Sequence, residues 1–332
     1  EAGVKKYKTF GRFTQYFVNE IFKEHGLVVI DQDDVELKKK FSSVIKDEVL
    51  HSRAVELLQK NIEFLETTYK AQAKPRDINF FYLGDNYRER IVFNASTQKF
   101  EVNNTSVSFS RDEIISEIEN HSERFSPNVI LRPLFQEIIL PNLAFVGGAG
   151  ELSYWLELKP LFDYYKVNYP MLIMRNSAVI LNSSTQKKIE KLGLRTEDFF
   201  EDVELLINRY IKTNTTVDAD FAEEKKNLEA TFDSIVTKAE LADATLKQSA
   251  LGEKQKALSA LQNIEAKILK AEKRKQETTV NQIRAIHSAF FPDNTLQERR
   301  ENFTPFYDKE FIAEVVDALD GFGKSFKVFV KE

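Results

Sequence analysis

The chain has 332 residues, 47 Lys plus Arg against 52 Asp plus Glu, a formal charge of −5 and no cysteine. That length can bury a substantial core, the acidic balance speaks against nucleic-acid binding through bulk charge, and the missing thiols exclude disulfides, Cys-ligated zinc and thiolate nucleophiles. With no apolar run of about 18 residues and no recognisable leader, the expectation is a soluble, cytoplasmic protein without a membrane partner.

Phe13, Phe17, Ile21 and Phe22 fall at helical spacing over 12–24, His25-Gly26 stop the helix, and Leu27 to Asp31 (LVVID) reads as a short strand, a helix–strand step of an α/β domain. From about 35 to 69 the stripe Phe41, Val44, Ile45, Val49, Val55, Leu58, Ile62 and Leu65 predicts one long helix, ended by Lys74-Pro75. INFFYL (78–83), ERIVF (89–93), QKFEV (98–102) and SVSFS (106–110) are short β-branched or aromatic runs between Asn, Asp, Gly and Ser turns, an antiparallel meander over 78–110. Ser110 with Glu113 three residues later is a capping box opening a helix to about Asn120, and Phe125 to Asn128 reads as a loop.

The densest segment follows, SPNVILRPLFQEIILPNLAFVGGAGELSYWLELK, and then PMLIMRN as a buried strand. From Val217 to Ala289 the composition turns to Lys, Glu, Ala, Gln and Leu with no proline. Phe221, Leu228, Ile235 and Ala242 recur every seven residues beside Phe232, Ala239 and Leu246, a coiled-coil seam, and a phase shift at Asp243 to Thr245 predicts a turn between two antiparallel helices. Leu251, Leu258, Leu261, Ile264, Ile268 and Ala271 carry the second arm. The tail after Phe291-Pro292 regains aromatics and should pack back on the rest. The expected divisions are 1–212 for the α/β part, 213–291 for the coiled coil and 292–332 for the tail.

Chemistry-bearing patterns are few. His25, His51, His121 and His287 lack a second His at metal-binding spacing, so no metal is expected, and neither a GxSxG elbow nor a GxxxxGK[ST] loop occurs. Gly147, Gly148 and Gly150 lead into a helix, where free amides could hold a carboxylate or phosphate, or the turn could simply need positive φ. Arg132 and Gln136 share a helical face, with Glu137 beside it; a small polar ligand could partner them, or Arg132 could pair with Glu137 or Glu151. Tyr154 and Trp155 could offer a ligand a ring face or fill the core, and Arg175 ends a strand where open α/β sheets bind ligands. Gln297, Arg299, Arg300 and Asn302 form a basic island that could receive a nucleotide phosphate or cap the coiled coil.

The block from Phe125 to Lys159 resembles the most distinctive segment of the bacillithiol biosynthesis cysteine-adding enzymes, and FFYLGDNYRERIVF (80–93), the coiled coil and LQERRENF (296–303) resemble that family in order and spacing. The resemblance implies a Rossmann-like core with inserted segments, a coiled coil used in homodimerisation, a capacity to bind ATP or ADP, and a ligase that joins L-cysteine to glucosaminyl-malate through an amide bond. Its motif falls on Arg132, Pro133, Gln136, Glu137, Gly147, Gly148, Gly150, Glu151, Tyr154, Trp155 and Arg175. On this expectation Arg132 and Arg175 neutralise charge, the glycine turn holds an anion, and Glu137 or Glu151 orients or deprotonates the cysteine amine. Ala149 stands where the family usually has proline, Pro160 should restart the helix after Trp155, and the family's amino-terminal glycine-rich and His-Asp motifs are not seen. The chain therefore looks like the carboxyl-terminal part of such an enzyme and is expected to be inactive alone. The rivals are a non-enzymatic coiled-coil scaffold and a nucleotidyltransferase relative acting on another small substrate.

Overall fold

The computed structural model describes residues 6–7, 9–215, 221–308, 310–319, 321–323 and 325–331; residues 1–5 and Val217, where the coiled-coil composition begins, lie outside them. Two compact units result, residues 1–176 with 318–324 and residues 177–317 with 325–332, so the division expected near 212 falls at Asn176/Ser177.

In the first unit, Thr9 caps helix α1 (Phe10–Phe22), and Gly26 ends the following turn with φ of 73°. LVVID is not a strand: no described strand pairs with it, and Leu27 and Val28 stand 47% and 74% exposed. The single long helix expected over 35–69 is three, α2 (Val35–Lys39), α3 (Ser42–His51) and α4 (Arg53–Glu66), because Ser52 takes a left-handed conformation that redirects the chain. The predicted stripe still forms core, with Phe41, Val44, Ile45, Val49, Leu58 and Ile62 all buried.

The meander forms as β1 (Phe80–Leu83), β2 (Arg88–Asn94), β3 (Lys99–Val102) and β4 (Ser108–Phe109). A fifth strand, β5 (Phe125–Pro127), replaces the expected loop and pairs antiparallel with β1, Phe80 opposite Pro127, giving the order β4-β3-β2-β1-β5. Pro127 is tolerated because β5 is an edge strand. Before it, the Ser110–Glu113 capping box opens α5 (Arg111–Asn120) as predicted.

The dense segment becomes α6 (Arg132–Ile139), β6 (Ala144–Gly147), α7 (Ala149–Glu157) and α8 (Lys159–Tyr165), the last restarting at Pro160, and leads to β7 (Met171–Met174). Strands β6 and β7 are parallel and in register, Ala144 opposite Met171 and Gly147 opposite Met174, so the two helices between them form a βαβ crossover. Trp155, Leu158, Leu161 and Phe162 anchor that crossover, each at 1% exposure or less, and burial of each large apolar side chain is worth about 1.5–3 kcal/mol.

In the second unit, β8 (Ala178–Asn182) pairs in parallel with β9 (Lys327–Lys331), which puts the end of the tail into a sheet. Helices α9 (Ser183–Lys191), α10 (Val203–Thr213) and α13 (Glu277–Phe290) cover that pair around Val179, Leu181, Ile207, Ile283 and Phe290. Helices α11 (Ala222–Ala242) and α12 (Leu246–Lys275) make the hairpin. Its turn falls where predicted, with Asp243 Oδ1 accepting from the Thr245 N–H at 2.8 Å. The ion pairs Glu240–Lys247 and Asp233–Lys254 close successively farther from that turn, which fixes the arms as antiparallel. The seam differs from the sequence phase. Val236 is the buried residue of α11, flanked by half-buried Phe232 and Ala239, whereas Ile235, Ala242 and Leu246 face outward. Three apolar phases compete in a helix this rich in alanine, and the packing partner selects one.

Candidate functional site

An open cleft of about 620 Å³ lies in the first unit, between the crossover and the meander. Arg132 and Gln136 reach it from successive turns of α6, and Glu151, Tyr154 and Trp155 from α7. Four further cations line it that the sequence did not single out, namely Lys74 and Arg76 before β1, and Arg88 and Arg90 on β2. Five cationic side chains therefore face one carboxylate, Glu151.

Strand geometry explains the second pair. Residues two apart on a strand point to the same side, so Arg88 and Arg90 emerge together; the Arg88 guanidinium lies 3.8 Å from the Phe81 ring centre, and Phe81 pairs with Arg90 across β1 and β2. Arg88 donates only to neutral acceptors, Ser126 Oγ at 3.1 Å and the Pro127 carbonyl at 3.3 Å. Burial lowers its pKa, with the nearby Arg132 charge acting the same way against Asp33. Arg76, Arg90 and Arg132 make no side-chain hydrogen bond or ion pair among the described residues, and the Arg132–Glu137 and Arg132–Glu151 pairs weighed from the sequence do not form. Lys74 pairs with Glu66 at 2.9 Å.

Two buried carboxylates build the cleft without facing it. Glu157 accepts from the Gln72 and Ala73 amides at 2.7 and 3.2 Å and holds the segment that leads to Arg76; burial raises its pKa, and those donors oppose the shift. Glu137, 2% exposed, accepts from the Asn142 backbone and side-chain amides at 2.8 and 3.0 Å and from Gln136 at 3.0 Å. It ties the end of α6 to the approach of β6 and does not line the cleft.

The glycines serve packing. Gly148 has φ of −74°, so no positive φ is required there, and its amide donates to Glu151 at 2.8 Å, closing the first turn of α7 instead of staying open for an anion. Gly147 is glycine for space: a Cβ would meet the Phe145 ring at 2.5 Å, and that ring stacks on Trp155 at 4.2 Å between centres. Gly150 is exposed with open space around it. The Arg175 amide donates to the Gly147 carbonyl at 2.9 Å, which places both at the carboxyl end of the parallel pair, as expected, yet neither lines the cleft. Tyr154 sits between the Glu151 and Arg132 charges; burial and then Glu151 raise its pKa, and Arg132 pulls it down. Trp155 is 1% exposed, with its indole N–H buried beside Tyr154.

The basic island of the second unit is internally satisfied. Gln297 mimics a strand, accepting from the Ile180 N–H and donating to the Ile180 carbonyl, both at 2.9 Å, and also donating to the Ala289 carbonyl. Arg300 pairs with Asp293 at 3.0 Å, Arg299 lies 3.8 Å from Glu298, and Asn302 caps the turn at Thr304. Gln297, Arg300 and Asn302 thus already serve the fold, while Arg299 makes only the long contact with Glu298.

Residues 1–176 match the family described as bacillithiol biosynthesis BshC, N-terminal Rossmann-like domain, and residues 178–330 match its C-terminal coiled-coil domain. The chain belongs to the BshC family. Relatives that carry the name "Putative cysteine ligase BshC" include proteins of Flavobacterium psychrophilum, 39% identical over 95% of this chain and 59% of the relative, and of Christiangramia forsetii, 38% identical over 99% and 61%. One from Bacillus cereus is 29% identical over 96% of this chain and 60% of the relative. The chain thus spans about three-fifths of the length of these BshC relatives. Both domain matches meet at the boundary between the two compact units.

Proposed function

We propose that the arginine-lined cleft binds the substrates of a cysteine ligase, the carboxylates of glucosaminyl-malate and of L-cysteine, for joining through an amide bond. The observation that carries this reading is the set of guanidinia of Arg76, Arg90 and Arg132, which face a solvent-open cavity without an acidic partner. Unpaired guanidinia gathered in one place repel one another, and an anion with two carboxylates relieves that repulsion through paired N–H donors. Glucosaminyl-malate offers such a pair. The malate carboxylates are not consumed, so they act as anchors while the glucosamine amine attacks the cysteine carboxyl carbon; the new C–N bond replaces a C–O bond whose oxygen leaves on an activating co-reactant, and the amine gives up a proton. Glu151, the one carboxylate lining the cleft, orients or accepts that proton, and Tyr154 lies beside it as a polar neighbour.

The name that the relatives carry supports the ligase reading; activation of the carboxylate has no assigned residues in this chain. We further place self-association in the hairpin, where Ile235, Leu241, Leu246 and Ile264 present apolar side chains 44–83% exposed. Calorimetric titration with glucosaminyl-malate, L-cysteine and malate tests the cleft. Saturable binding that weakens roughly tenfold in Arg90→Ala or Arg132→Ala with the melting temperature kept supports the reading. Binding indifferent to both substitutions overturns it.

A further inference from the structure

Glu48 lies outside the cleft, on α3, yet a continuous polar chain connects it to two of the cleft's arginine-bearing segments. It is fully buried, as is Asn79, its partner. One Glu48 oxygen accepts from the Ala54 N–H at 2.9 Å, capping the first turn of α4, and the other accepts from Asn79 Nδ2 at 2.6 Å. Asn79 Nδ2 uses its second hydrogen on the Arg76 carbonyl at 2.6 Å, and its Oδ1 accepts from the Arg76 N–H at 3.0 Å and from Asn128 Nδ2 at 2.8 Å. Asn128 in turn accepts from the Ile130 N–H through Oδ1 and from the Arg132 N–H through its carbonyl, both at 2.9 Å.

Every polar atom of the Asn79 side chain is satisfied, and only one orientation of its amide achieves this. An ionised carboxylate only accepts, so Glu48 forces Nδ2 toward itself and Oδ1 toward Arg76 and Asn128. Burial pushes the Glu48 pKa up, while the Asn79 and Ala54 donors oppose that shift. We propose that Glu48 is a positioning residue for the cleft, setting through Asn79 and Asn128 the backbone from which Arg76 and Arg132 reach the ligand. This rests on the reading of the cleft as an anion site. A glutamine at 48 has an acceptor for one neighbour only. If its oxygen keeps Ala54, its amide confronts the Asn79 amide, and turning Asn79 over would aim donors at the Arg76 N–H and at Asn128.

The test compares Glu48→Gln, Asn128→Ala and Val49→Ala in the full chain, by amide hydrogen exchange and by calorimetric titration with malate. Val49 is buried on the same helix and belongs to no polar chain, so its truncation reports what loss of stability alone does. Glu48→Gln should raise exchange at the Arg76 and Ile130 amides and weaken malate binding, each by roughly tenfold. Asn128→Ala, which removes the last link together with a cleft-lining side chain, should raise exchange at Ile130 and leave Arg76 protected. Val49→Ala should move neither amide beyond the general loss of protection. Wild-type exchange and affinity in Glu48→Gln would overturn the proposal, as would equal effects in Glu48→Gln and Val49→Ala. If Glu48→Gln does not fold, Glu48→Asp replaces it: selective exposure of the Arg76 and Ile130 amides supports the proposal, and wild-type exchange at both overturns it. Absence of malate binding by the wild-type chain would instead remove the anion-site reading, and the exchange pattern would still decide whether the chain from Glu48 sets the two segments.

Discussion

Two arginine-bearing places in this molecule differ in what surrounds them. Around the cleft, Arg76, Arg90 and Arg132 have no acidic partner among the described residues, and Arg88 lies over the Phe81 ring and donates to neutral oxygens. In the second unit, Arg300 meets Asp293 and Arg299 approaches Glu298, while Gln297 between them completes a sheet edge. A cation paired within the chain adds modest stability. A cluster of unpaired ones facing a cavity stores repulsion that an anionic ligand removes. The difference separates a binding surface from a structural brace more cleanly than local charge density does.

The comparison breaks most directly under charge reversal. Arg132→Glu should weaken dicarboxylate binding roughly a hundredfold by adding a like charge where an anion docks, whereas Arg300→Glu should leave the affinity unchanged; calorimetry on both variants decides it. Removing the buried carboxylate of Glu137 should destabilise the first unit by about 1–3 kcal/mol, because the Asn142 amide loses its acceptor, measured by urea unfolding of Glu137→Ala. Gln297→Ala should cost a similar amount, about 1–3 kcal/mol, from the stranded Ile180 amide and carbonyl, and should spare ligand affinity, which separates a brace from a nucleotide contact.

The smallest effect is a pH dependence in the second unit. Hydrogen bonds from Lys273 and then Arg284, both at 2.7 Å, hold the Glu204 pKa below its ordinary value. A carboxyl with a lowered folded-state pKa stabilises fully above its unfolded value and loses that contribution as pH falls through the folded one. The stability advantage of wild type over Glu204→Gln should therefore shrink below about pH 4.3. Glu204 and Arg284 are each about half exposed, so the change should stay under about 1 kcal/mol.

Local signals made much of the fold legible. The capping box at Ser110 and Glu113, the meander runs, the turn at Asp243 and the restart at Pro160 all act within a few residues of where they are written. What escaped depends on distant partners. LVVID has the composition of a strand but lacks a neighbour, while Phe125–Pro127, punctuated like a loop, gains one in β1. Lys327–Lys331 (KVFVK) is a short β-branched and aromatic run, yet only β8, some 150 residues away, makes it a strand. The site divides the same way. Arg132 and Gln136 were visible because four residues bring them onto one helix face. Arg88 and Arg90 alternate on a strand, a signal present in the sequence but silent until β1 and β5 place that face against α6. Glu137 and the glycines were conspicuous for the opposite reason, since polar and flexible residues in an apolar segment also mark places where backbone groups need partners.

The most direct measurement uses Trp155, the only tryptophan, which lines the cleft. Its fluorescence should change saturably as malate or glucosaminyl-malate is added at low salt, with the change weakened at high salt, lost in Arg132→Ala and kept in Arg300→Ala. A signal that does not saturate, or one lost equally in both variants, would contradict the claim that the unpaired arginines of the first unit form the binding surface.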